Sequence, residues 1–165
     1  MQSAATANVV DIVRIMELCR DIEMYNAELY KFYAEIFSAD EEISKLWSKT
    51  ALEEESHMNQ IVMAIGMREQ WHVASVKVDI FRAENTLRMV KSIYDGVRLN
   101  RPSLIDALRS AIKLEHNLDT FHMSNVATFK DGNLNELFKS LMNADREHIG
   151  MLESLYRKTL AANSK

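Results

Sequence analysis

Small and apolar residues recur at three- and four-residue steps along four long stretches of the chain, the spacing of one helical face. Met16, Cys19, Ala27, Tyr30, Ala34 and Phe37 mark a first helix over about residues 9–37. Ser38 and Asp40 offer caps for a second, over about 40–65, with Ile43, Leu46, Trp47, Thr50, Ile61 and Ala64 on its inner face. Pro102 and Ser103 open a third, which runs to about residue 130 through Leu104, Leu108, Ala111, Val126 and Phe129. The turn Asp131-Gly132-Asn133 precedes a fourth, with Leu134, Leu137, Leu141, Leu152 and Leu155 inward. No stretch alternates with a period of two, so no strand is expected.

Helix breakers are scarce, with four glycines and one proline in the chain. Gly66, Gly96 and Gly132 fall where boundaries are expected, whereas Gly150 lies inside the pattern of the fourth helix. Residues 67–102 are too many for a hairpin turn and contain a helical piece over about 79–94, a length that suits a crossover. The pattern predicts an all-α four-helix bundle in a single domain over 1–165. An antiparallel hairpin over 9–66 and another over 103–161 are joined by a long helical crossover connection over 67–102.

Composition narrows the chemistry. At 165 residues, 47% hydrophobic and 27% charged, the chain has the size and mix of a soluble domain with a sizeable core. A net charge of -4 without a basic stripe argues against nucleic acid as a partner. No run of about 18 apolar residues suggests a membrane span, and Asp11 and Arg14 interrupt the only stretch that resembles a signal peptide. The single cysteine, Cys19, excludes an internal disulfide framework and any Cys-x-x-Cys motif, which fits a reducing cytoplasm. Its place on the first inward stripe predicts a buried, inert thiol. His72 and His116 are expected at the surface.

Each apolar stripe also contains an acid: Glu23, Glu54, Glu115 and Asp145. A carboxylate ion costs several kcal/mol to bury alone, so four facing one another must be protonated, reach solvent or surround cations. Their spacing sets them level. Glu23 and Glu54 are centred on the first bend and Glu115 and Asp145 on the second, with separations of 31 and 30 residues. His57 and His148 each follow the second acid of a hairpin by three residues, which puts acid and imidazole on one helical face. The halves read as an internal repeat, in which Tyr30 follows Glu23, and His122 follows Glu115, by seven residues. His122 lies too far along the helix to share an ion with Glu115 and is expected as a buried, hydrogen-bonded histidine. Two divalent metal ions would cancel four carboxylates, and an oxygen-rich shell with two imidazoles and no thiolate suits iron or manganese, with zinc able to occupy the same groups. Taken alone, Glu53, Glu54 and Glu55 in a row would describe a solvated helical face, and Asp145 with His148 a degenerate half-site.

The series Glu23, Glu54-Glu55-Ser56-His57, Glu115 and Asp145-Arg146-Glu147-His148 resembles the ferritin-like superfamily, and within it the rubrerythrin-like group, over about residues 9–160. The resemblance implies a ferritin-like fold and a di-iron carboxylate oxidoreductase that reduces peroxide or dioxygen. It implies Glu54 and Glu115 as bridging ligands, Glu23 and Asp145 as terminal carboxylates, His57 and His148 as nitrogen ligands, and Tyr30 as the hydroxyl that orients a ligand carboxylate for catalysis. A chain with one cysteine builds no four-cysteine iron centre, so electrons would come from an external donor. Ferroxidase activity for iron storage and a noncatalytic helical interaction protein are the alternatives. A homodimer or higher oligomer is the default expectation. Two positions depart from the family: Leu118 stands where rubrerythrins carry a further glutamate, with Asp119 one position later, and Asp145 replaces a glutamate. Asp145 is one methylene shorter, which weakens the second metal position. Asp145→Glu is therefore expected to raise metal content per chain, and equal content in the two proteins would remove shortness as the cause.

Overall fold

Helices carry the architecture in the computed structural model, which describes residues 9–70, 73–76, 80–119, 127–129 and 132–163. Helix α1 (Val9–Ile36) turns within four residues into α2 (Glu41–Gly66). Asp40 makes that turn: its backbone is extended and its carboxylate accepts the N–H groups of Glu42 and Ile43 at 3.1 and 3.2 Å, satisfying donors that a helix start leaves open. The Ser44 hydroxyl donates to the Ala34 carbonyl at 2.9 Å and ties the first turn of α2 to the last of α1. Beyond Gly66 come a short 3-10 turn (Arg68–Gln70), strand β1 (Val73–Val76) and helix α3 (Ile80–Leu99). Helix α4 (Leu104–Asp119), strand β2 (Ala127–Phe129) and helix α5 (Gly132–Asn163) follow. Ser103 caps α4 by accepting the Asp106 N–H at 3.2 Å.

Helix α1 pairs chiefly with α2 and then with α3, while α4 pairs with α5 and α5 also reaches α2. The class is all-α, with one short ribbon added. That ribbon corrects the expectation that no strand would form: β1 and β2 run antiparallel, Val73 opposite Phe129 and Val76 opposite Ala127, with an irregularity between Val73 and Ser75. Strands of three and four residues are shorter than any window in which a period can be read. The third predicted helix does not run to residue 130, because Ala127–Phe129 form β2; its described part is Leu104–Asp119, and residues 120–126 lie outside the described residues. Within α4 the Asn117 side-chain amide donates to the Lys113 carbonyl at 2.6 Å. Gly96, expected at a boundary, lies inside α3. Trp71, His72, His122 and Val126 fall outside the described residues, and no helix among the described residues is long and apolar enough to cross a membrane.

Among the described residues the core forms two apolar clusters. One is built around Ile22, Tyr30, Trp47, Leu108, Leu114 and Leu152. The other joins Ile12, Ile15, Met16, Ile61, Phe138 and Leu141. In the first, the buried rings of Tyr30 and Trp47 stack at 5.4 Å and Tyr33 meets Trp47 edge-on at 4.9 Å. Trp47 is fully buried, so Trp47→Ala is expected to cost about 3–5 kcal/mol in urea unfolding. Asp40→Ala, which removes only the cap, should cost about 1 kcal/mol; equal losses for the two would contradict this division of the stability.

Candidate metal centre

Along α2 and α5 the residues of one apolar cluster give way to those of the other, and buried polar side chains gather at that level. These are Glu23 on α1, Glu54 and His57 on α2, and His148 on α5, joined by Glu115 from α4; none is more than 6% exposed. They converge as two groups, Glu23 with Glu54 and His57, and Glu54 with Glu115 and His148, each with its donor atoms within 4.8 Å of one another. Glu54 belongs to both. Its Oε2 stands 3.1 Å from Nδ1 of His57, the partner that three-residue helical spacing puts on the same face. Its Oε1 stands 3.2 Å from Nδ1 of His148 on another helix. Nδ1 of His57 is also 3.9 Å from Glu23 Oε2, and the two imidazole rings face each other at 6.0 Å.

Tyr30 closes the far side by donating its hydroxyl to Glu115 Oε1. Burial, and then the Glu115 and Glu54 carboxylates, push its phenol well above the ordinary value, so it remains a donor. Five of the six residues read as ligands are thus brought together. The sixth, Asp145, lies on α5 with its side chain outside the described residues, as does that of Asp119. Leu118, in place of a carboxylate, is a buried apolar residue. His116 is exposed, with Nε2 3.2 Å from Glu153. Burial raises the Cys19 thiol to about 12, which leaves it inert at neutral pH.

Three carboxylates are buried here, and no lysine or arginine among the described residues is buried with them. Burial alone would raise Glu54, but the imidazoles of His148 and His57 outweigh it and hold the carboxyl far below its ordinary range. Burial likewise opposes charge on His148, yet Glu54, Glu115 and Glu53 raise it to about 10. Glu54 Oε1 and His148 Nδ1 face each other at 3.2 Å as an ion pair without an aligned hydrogen bond, and an ion entering between them would take the place of the proton on Nδ1. Two donors at right angles on an ion, each at about 2.1 Å, lie about 3.0 Å from one another. The buried Glu and His groups therefore could hold a metal ion by both chemistry and spacing.

One contact escapes a reading by helical period. Glu53, which sequence alone describes as part of a solvated face, reaches from α2 to accept Nε2–H of His148 at 2.8 Å. Period reports the faces of one helix, and this bond depends on how α2 and α5 meet. No protein-family model, curated protein or solved structure matches the chain, so the functional reading rests on the geometry.

In metal-free protein the folded state holds a proton on His148 up to about pH 10, whereas the unfolded chain releases it near 6.5. The stabilisation this contributes is complete below about pH 6.5 and declines as pH rises toward 10. The melting temperature is expected to fall over that interval, and His148→Gln to flatten the slope; identical pH profiles would contradict the assignment.

Proposed function

We propose that the chain is a ferritin-like di-metal carboxylate oxidoreductase, with iron as the first candidate and manganese as the alternative, that reduces hydrogen peroxide or dioxygen with electrons from an external donor; zinc could occupy the same groups but would not support this reaction. The observation that carries this reading is the position of Glu54, whose two oxygens face two different histidines in two different donor groups. A carboxylate so placed suits a bridge between two ions. The likeness of the two halves supports the same reading, since each hairpin contributes an acid from its first helix and an imidazole from its second.

When bound, a pair of redox-active ions would supply the two electrons that peroxide reduction consumes. The chain's own residues would do the rest. Glu23 and His57 would hold one position and Glu115 and His148 the other, with Asp145 the further candidate on α5. Tyr30 fixes Glu115 by hydrogen bonding to one of its oxygens, Oε1. The apolar clusters on both sides exclude bulk water, which strengthens every charge interaction inside.

Anaerobic reconstitution with ferrous iron tests the reading. About two equivalents per chain are expected, with oxidation of the bound iron by added peroxide at matching stoichiometry. Glu54→Ala should abolish both positions, because it removes the one carboxylate they share. Failure of the wild-type protein to retain iron, with an unchanged melting temperature, would overturn the proposal in favour of a noncatalytic bundle. Uptake far beyond two equivalents would favour iron storage instead.

A further inference from the structure

We infer that Glu53 is a positioning residue that selects which nitrogen of His148 faces the metal centre, and so governs binding of a divalent cation at the Glu54–Glu115–His148 position. The inference rests on the centre proposed above. A neutral imidazole carries one N–H and one lone pair, and the hydrogen bond made by one nitrogen decides which is which. Nε2 of His148 lies 2.8 Å from Glu53 Oε2. When the charged ring gives up one proton to an incoming cation, an ionised carboxylate, which only accepts, keeps the proton on Nε2, so the lone pair opens at Nδ1. Nδ1 is the atom that stands 3.2 Å from Glu54 Oε1 without a hydrogen bond, inside the second donor group.

Consecutive residues of α2 therefore address the two nitrogens of one ring on α5, Glu53 from the outside and Glu54 from the inside. That geometry fixes the rotation of the ring as well as its tautomer. The ring itself is buried, while the Glu53 side chain is 37% exposed and its other oxygen stands 3.6 Å from the Lys49 ammonium. An exposed pair such as Lys49 with Glu53 contributes little by itself. The distinctive contact is the one directed inward. The contacts that Glu53 makes among the described residues go to Lys49 and His148, so its influence should fall on the position that His148 serves.

Anaerobic titration of the full chain with cobalt(II), followed by visible absorption and by competition with a chelator, separates the positions. Wild type is expected to bind in two steps. Glu53→Ala should weaken one step by about 10–100-fold, the range for removing a carboxylate that orients a ligand histidine, and leave the other unchanged. Glu53→Gln, whose amide oxygen still accepts Nε2–H, should restore binding close to wild type. Two unchanged steps in Glu53→Ala, or a Glu53→Gln variant as weak as Glu53→Ala, would overturn the inference. Should Glu53→Ala fail to fold, the zinc-loaded wild type gives the answer by 15N resonances of the His148 ring: a protonated Nε2 and a ligating Nδ1 support the assignment, and the reverse overturns it. Absence of any cobalt binding by wild type would instead remove the metal centre, and this inference with it.

Discussion

Burying three carboxylates in the middle of an apolar bundle is the constraint on which the rest of the structure depends. Each ion loses several kcal/mol of hydration on entering such an environment, and no buried lysine or arginine among the described residues compensates it. The two imidazoles offset part of the penalty, which is why Glu54 is held ionised and His148 is held charged in the absence of other cations. Positive charge beyond what one or two imidazoles supply is the simplest completion of that set. The same constraint shows in the core: along α2 and α5 the two apolar clusters are separated by the buried Glu54, His57 and His148.

The arrangement around the acids has an inside and an outside. Inside, Glu54 presents one oxygen to each histidine and Tyr30 holds Glu115 from the aromatic cluster that includes Trp47. Outside, Glu53 touches the same histidine from the solvent side. Donor atoms set in this way by packed neighbours cannot swing freely, and a ligand set whose orientation is already fixed pays less to close on an ion. Binding, should it occur, would add directly to the stability of the folded state, since an unfolded chain offers no such site.

Much of this was legible before any coordinates. The three- and four-residue steps of Met16 through Ala34 and of Trp47 through Ala64 describe faces that are buried in the structure, and Asp40 and Ser103 act as the caps their positions suggest. Acids on apolar stripes stand out because they violate the pattern around them. The β1–β2 ribbon did not stand out, since strands of three and four residues have no readable period and gain their stability from pairing across a long sequence separation. The place of Phe129 in β2 was hidden for a related reason: Val126 and Phe129 continue the apolar series of α4 at spacings that a helix would also produce.

Local sequence thus determined which segments become helices, which face each helix buries, and that acids and histidines occupy those faces, because propensity, capping and period act within a few turns of one chain segment. Only the tertiary structure decided that Glu54 would stand between two histidines, that Tyr30 would reach Glu115, and that Glu53 would cross from α2 to His148. Those relations depend on the rotation and offset of one helix against another, which are fixed by the packing of all the buried side chains together and cannot be read from any one helix alone.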